Sequence, residues 1–189
     1  MAAMDAALHR GTVTPDEIEE VLVRCWNWPS IRRAQRALGL ADGRAESPLE
    51  SVSRLVIGWL RLPAPELQAV VLDRDGRAAG RLDFYWDEWG VAGEADGRGK
   101  YTNVGVIVAE KDRQEHLENH GLVFARWGCT DATRHPRSVK QRILNAYERG
   151  RARDRSGLPR EWSVQLTKAA TRREDVITNP VARQLGGKT

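Results

Sequence analysis

The stretch GRLDFYWDEWGVAGEADGRGKY, residues 80–101, decides the reading of the fold. Residues 80–86 alternate in polarity, DEWG (87–90) carries turn residues, and VAGEA (91–95) is a second short apolar run. Period-two alternation on either side of a short turn predicts a β-hairpin. With 87–90 as a four-residue loop, Trp86 meets Val91, Tyr85 meets Ala92, Asp83 meets Glu94 and Arg81 meets Asp96. Alternation then puts Leu82, Phe84 and Trp86 on one face and Arg81, Asp83 and Tyr85 on the other.

That register sets a problem. Strands avoid acids, and opposed carboxylates with Cβ atoms roughly 5 Å apart repel by about 3 kcal/mol at an effective dielectric of 20. Three remedies exist: shared protonation, a basic partner such as Arg81 or Lys100, or a divalent cation, Mg²⁺ or Mn²⁺, completed by waters and a phosphate. A salt-bridged surface hairpin with its acids in water is the plain alternative. A register shifted by one residue would separate the two acids onto opposite faces.

Outward from the hairpin the period changes. Thr14, Pro15 and Glu17 form a capping-box start for a helix over 15–24. WPSIRRAQRALGL reads as a short helix ending near Gly39. ESPLESVSRLVIGWLRL repeats the start signal with Ser47, Pro48 and Glu50, and Pro63 and Pro65 end it. ELQAVVLD is strand-like and leads through the turn DRDG into the hairpin. Beyond the loop DGRGKYTNVG, VAEKDRQEHLENHGL is a helix stopped by Gly121, LVFARW a fourth strand, and PRSVKQRILNAYERG an amphipathic helix with Val139 and Ile143 inward. GLPREWSVQLTKAA has room for one more short element. The order helix, three strands, helix, strand, helix predicts an α/β domain with a mixed sheet and helices on its faces. Residues 1–45 form a helical extension, 46–150 the core, and 151–189 a basic tail with little regular structure.

At 189 residues the chain suffices for one domain with a substantial core. The sequence contains no apolar run of membrane-span length and no signal-peptide pattern, so a cytoplasmic protein without membrane contact is expected. Cys25 and Cys129 lack the spacing of a zinc site and read as free thiols. Charge is uneven. Residues 134–173 hold 12 Arg and Lys against 3 Asp and Glu, an excess of +9, leaving 18 against 23, or −5, elsewhere. A basic C-terminal third on an acidic body suggests a polyanionic partner, DNA or RNA; a solvated tail is the bland reading.

The segments SPLESVSRL, RLPAPELQ, GRLDFYW, GEADGRGKY and EKDRQEHLENHGLVFARW, with the closing helix, resemble in order a bacterial family with a restriction-endonuclease-like core. The likeness, over about residues 45–150, is to the very-short-patch-repair endonucleases of the PD-(D/E)xK superfamily, common in actinobacterial and phage proteins and often the C-terminal domain of proteins described as Abi-type (type IV) antitoxins. Asp83 matches the superfamily's Asp on the second strand, Glu94 its (D/E), and Glu50 its helical acid. Where the superfamily has lysine this chain has Asp96, and Lys100 is the nearest substitute. The resemblance implies a Mg²⁺- or Mn²⁺-dependent DNA endonuclease. Asp83 and Glu94 would hold the cation, Asp96 or Glu50 would be a further ligand, and Lys100 would orient water or stabilise developing charge. Arg81, Arg98, Arg137 and Lys140 would contact DNA. Double-strand cleavage by one such site implies a homodimer or two visits. Because Asp96 replaces the lysine, a catalytically inactive nuclease fold acting as a DNA-binding regulator or antitoxin-like module is the competing expectation.

Individual residues keep plain rivals. Glu50 sits where a capping box wants Glu. Lys111 and Arg113 either contact the site or face solvent. His116 and His120 have helical metal-pair spacing but no third ligand at usable spacing. Trp26, Trp28 and Trp89 either pack the helical extension on the core or mark a partner or base-stacking surface.

Overall fold

The computed structural model describes residues 1–73, 75–97, 104–119, 121–152 and 163–165. Four helices lead the chain: α1 (Ala2–His9), α2 (Pro15–Arg24), α3 (Ile31–Gly39) and α4 (Pro48–Trp59). The two start signals form as read. Thr14 Oγ1 accepts from the Glu17 amide at 3.2 Å while Glu17 Oε2 accepts from the Thr14 amide at 2.7 Å. Ser47 Oγ likewise accepts from the Glu50 amide at 3.2 Å. Helix α1 carries no strong start signal in the sequence. It is fastened by Asp5, fully buried, whose carboxylate accepts from the Asp42 amide and from Arg54 of α4, both at 3.0 Å.

Then come β1 (Glu66–Leu72), β2 (Ala78–Trp86), a 3₁₀ turn (Asp87–Trp89), β3 (Val91–Ala95), α5 (Val104–Asn119), β4 (Val123–Trp127), α6 (Cys129–Arg134), α7 (Pro136–Ala152) and β5 (Ser163–Gln165). The protein is therefore a mixed α/β fold. The sheet order is β4-β3-β2-β1-β5, with β1, β2 and β3 an antiparallel meander, β3 and β4 parallel, and β5 antiparallel on the far edge. The parallel β3–β4 pair follows from the crossover through α5, since parallel strands need a long connection. The hairpin register is the one read from residues 80–101: Phe84↔Gly93, Tyr85↔Ala92 and Trp86↔Val91. Gly90 closes the turn at φ 58°, a left-handed value suited to glycine.

One helix between β4 and α7 was not expected from the sequence. A short helix, α6, precedes α7, and Asp131 Oδ2 accepts from the Gly128 amide at its start. The basic tail contributes strand β5, answering to the short element expected within 157–170; the rest of the tail lies outside the described residues.

The sheet is packed on both faces. On one, Leu67, Phe84, Trp86, Val91, Val123, Ala125 and Trp127 meet Val56 and Ile57 of α4, Ala132 of α6 and Val139, Ile143 and Ala146 of α7. On the other, Ala69, Val71, Leu82, Tyr85, Ala92 and Phe124 meet Leu117 of α5. Burial of this much apolar surface is the dominant favourable term. The two indoles in the first cluster find acceptors, Trp127 on Ser53 Oγ and Trp86 on the Pro63 carbonyl, each at 2.8 Å.

Strict alternation fails in the middle of the sheet. Leu82 was expected to share a face with Phe84 and Trp86, yet it packs with the α5-side cluster. The neighbouring strand does the same: Leu67 belongs to one cluster and Ala69 to the other. Between them Gln68 takes φ 53°. The reversal of faces therefore sits at Gln68 and Asp83, which the flanking pairs Leu67↔Phe84 and Ala69↔Leu82 place across from each other.

Candidate functional site

A row of polar side chains crosses the sheet at that irregularity. Gln68 on β1 lies across from Asp83 on β2 between the pairs Leu67↔Phe84 and Ala69↔Leu82, Glu94 on β3 follows the last hairpin pair Phe84↔Gly93, and Glu94 pairs with Arg126 on β4. Glu50, in the first turn of α4, reaches the same place. Its carboxylate is buried and Oε2 accepts from Gln68 Nε2 at 2.8 Å. A positive φ on a buried glutamine is an uncommon conformation, of order 1–3 kcal/mol above the usual basins, and such strain concentrates at functional positions.

Each acid has its own environment. Glu50 is both cap and site member: Oε1 accepts from the Ser47 hydroxyl at 2.7 Å, and Oε2 accepts from the Glu46 amide at 2.9 Å as well as from Gln68. Asp83 Oδ2 accepts from the Ala95 amide at 3.0 Å, so past Phe84↔Gly93 the ladder gives way to a side-chain contact. Burial pushes the Asp83 carboxyl up from 3.8 to about 7. The Ala95 amide and Arg81 oppose that shift, while the charges of Glu50 and Glu94 add to it. Glu94 carries two guanidinium groups: Arg126 Nε donates to Oε2 at 2.6 Å and Arg113 Nη2, from α5, to Oε1 at 3.4 Å. The Arg126 guanidinium also lies 4.9 Å over the Phe124 ring, a second restraint on its position.

The anticipated conflict between opposed carboxylates is thus resolved by two of the three remedies at once. Asp83 holds its proton toward neutral pH, and Glu94 is paired with arginine. Of the two basic partners expected, Arg81 donates instead to Glu46 Oε2 at 2.7 Å, and Lys100 lies outside the described residues.

These residues do not fit a divalent cation as they stand. Among the described residues no group of three or more His, Cys, Asp or Glu is placed to hold a metal, so the expected set Asp83, Glu94 and Asp96 is not assembled as ligands. Both oxygens of Glu50 and both of Glu94 are held by donors. A cation sharing the Glu94 carboxylate would stand roughly 5 Å from the Arg126 charge, a repulsion of about 7 kcal/mol at an effective dielectric of 20. Asp96 is half-buried, and its amide continues the ladder onto the Trp127 carbonyl at 2.9 Å.

The remaining expected residues separate. Lys100 and Arg98 lie outside the described residues, as does His120. On α7, Arg137 is exposed, whereas Lys140 Nζ donates to the Leu60 carbonyl at 3.2 Å, tying α7 to α4. Helix α7 carries Arg137, Lys140, Arg142, Arg149 and Arg151 against Glu148, and its four arginines are exposed. Trp89 is half-buried between Trp86 and Tyr147, with ring centroids at 6.1 and 4.5 Å. Trp26 and Trp28 are 74% and 65% exposed, so packing on the core does not account for them. The sequence reading missed Gln68 and Arg126. An arginine inside the apolar run LVFARW was the available signal for Arg126.

Comparison with known proteins adds relatives without a described role. The chain is 31% identical over 151 residues to two uncharacterized proteins of Mycobacterium tuberculosis, from strains CDC 1551 / Oshkosh and ATCC 25618 / H37Rv. The aligned part covers 80% of this chain and 55% of each relative, so the chain spans about half the length of the curated relatives it matches. No family model matches the chain, and no solved structure matches it significantly. Among the described residues no helix is long and apolar enough to cross a membrane.

Proposed function

We propose that this chain is a restriction-endonuclease-like domain that engages DNA through α7 and acts as a DNA-binding module rather than a metal-dependent nuclease. The element order helix, three-stranded meander, helix, strand, with β3 parallel to β4, supports the fold part of that reading. The observation that carries the functional part is the state of the acidic row: both carboxylate oxygens of Glu94 accept from arginines, Arg126 and Arg113. A carboxylate so held meets a metal only by giving up its arginine partners. Helix α7 supplies what binding needs. Its inward residues Val139, Ile143 and Ala146 lock it to the sheet while Arg137, Arg142, Arg149 and Arg151 stand exposed along its flanks, and exposed arginines neutralise phosphates without reading sequence.

Phosphodiester hydrolysis dependent on Mg²⁺ or Mn²⁺ is the second reading. The convergence of Glu50, Asp83 and Glu94, three acids whose charges act on one another, favours it. One experiment separates the two. Supercoiled, linear and single-stranded DNA are incubated with the protein and either cation, alongside Asp83→Ala and Glu94→Ala. Binding without cleavage is the expected result. Cleavage abolished by both substitutions would establish the nuclease, and absence of both binding and cleavage would reject both readings.

A further inference from the structure

We infer that Arg126 is the resident cation of the acidic row and that its guanidinium, backed by Arg113, makes the site reject divalent metal ions. The placement is built into the sheet. The parallel register Glu94↔Arg126 puts the two side chains side by side on adjacent strands. Arg126 Nε then meets Glu94 Oε2 at 2.6 Å, a short charge-assisted hydrogen bond. Phe124, two residues earlier on the same strand, lies under the guanidinium. The Arg126 side chain is 33% exposed and Glu94 15%, so the pair is screened less than a surface ion pair.

Arg113 completes the arrangement from another layer. Its Nη2 is 3.4 Å from Glu94 Oε1, and its Nη1 donates to the Arg81 carbonyl on β2 at 3.3 Å. Helix α5 is thereby held to the sheet at the acidic row. One carboxylate faces two fixed positive charges. A second acid, Glu50, is saturated by Ser47, Glu46 and Gln68. The site accordingly has the acids of a metal centre and the electrostatics of an ion-pair network. Arg126 occupies the strand position from which that balance is set. This inference rests on the proposed reading of the acidic row as one that takes no metal; DNA binding through α7 uses no carboxylate and is tested apart from it.

The test is titration of the full chain with MnCl₂ by calorimetry, with melting temperature followed in millimolar Mn²⁺, for the wild type, Arg126→Gln, Arg126→Lys and Arg113→Gln. The wild type and Arg126→Lys, which keeps the charge, bind Mn²⁺ only weakly and show no shift in melting temperature. Arg126→Gln gains Mn²⁺ binding at least about tenfold tighter than wild type, seen also as a rise in melting temperature. Adding Glu94→Gln removes the gain. Arg113→Gln gains a smaller affinity and leaves the Arg126–Phe124 contact in place, so it decides the matter if Arg126→Gln does not fold. Mn²⁺ binding by the wild type equal to that of Arg126→Gln would overturn the inference. So would the absence of any gain in the folded variants.

Discussion

Asp83→Asn tests the electrostatics of the acidic row quantitatively. Asparagine keeps an oxygen for the Ala95 amide, so the hydrogen bond at 3.0 Å survives while the ionisable group is lost. The folded-state carboxyl titrates at about 7 instead of 3.8. Because the folded value is raised, the folded protein binds more protons than the unfolded one between those values, and stability falls as pH rises through that window. The Asp83 contribution is fully present below 3.8 and is lost once the pH has passed about 7. The whole shift corresponds to about 4 kcal/mol at 1.36 kcal/mol per pH unit. Between about pH 5 and about pH 9 the wild type should lose about 3 kcal/mol relative to Asp83→Asn, since the first part of the window lies below pH 5. For a chain of this size that is a differential shift in melting temperature of about 6–12 °C. Thermal unfolding of both proteins, followed by circular dichroism at the two pH values, measures it, and subtraction cancels titrations remote from the row. A wild-type-minus-variant difference independent of pH would refute the assignment of a raised carboxyl to Asp83.

Two packing predictions concern the sheet interior and the contact between α1 and α4. Gly93→Ala places a methyl 2.7 Å from the Trp127 ring and 3.0 Å from both Phe84 Cβ and the Trp86 ring, all buried, so overpacking should cost about 1–3 kcal/mol in urea denaturation, with no destabilisation expected at an open helical glycine such as Gly39. Asp5→Ala leaves Arg54 facing a carboxylate-sized gap in a buried pair and should destabilise by about 3–5 kcal/mol, whereas loss of the exposed Arg77–Asp75 pair should be nearly silent.

Much of the architecture was legible because local chemistry specified it. Ser47, Pro48 and Glu50 announced α4, DEWG set the hairpin, and the register Trp86↔Val91 follows from loop length. The proximity of Asp83 and Glu94 was legible for the same reason. What lay beyond sequence was long-range. Glu94 and Arg126 meet only because α5 returns the chain to lie parallel to β3, and the hairpin alone cannot show which strand lands beside it. The reversal of faces at Gln68 and Asp83 was also hidden, since an alternating string such as GRLDFYW assumes an unbroken pleat. Glu50 could not be divided between cap and site in the sequence, and the structure gives it both roles.

DNA binding through the exposed arginines of α7 without metal is read from the salt dependence of duplex binding. Fluorescence anisotropy of a labelled duplex, without divalent cation, gives the slope of log affinity against log salt for the wild type and for the combined Arg137→Ala, Arg142→Ala and Arg151→Ala variant. The wild type should bind measurably, and the slope should be shallower by about 3 in the variant, near 0.9 for each phosphate contact removed. An unchanged slope, or binding that appears only when Mg²⁺ or Mn²⁺ is added, would contradict it.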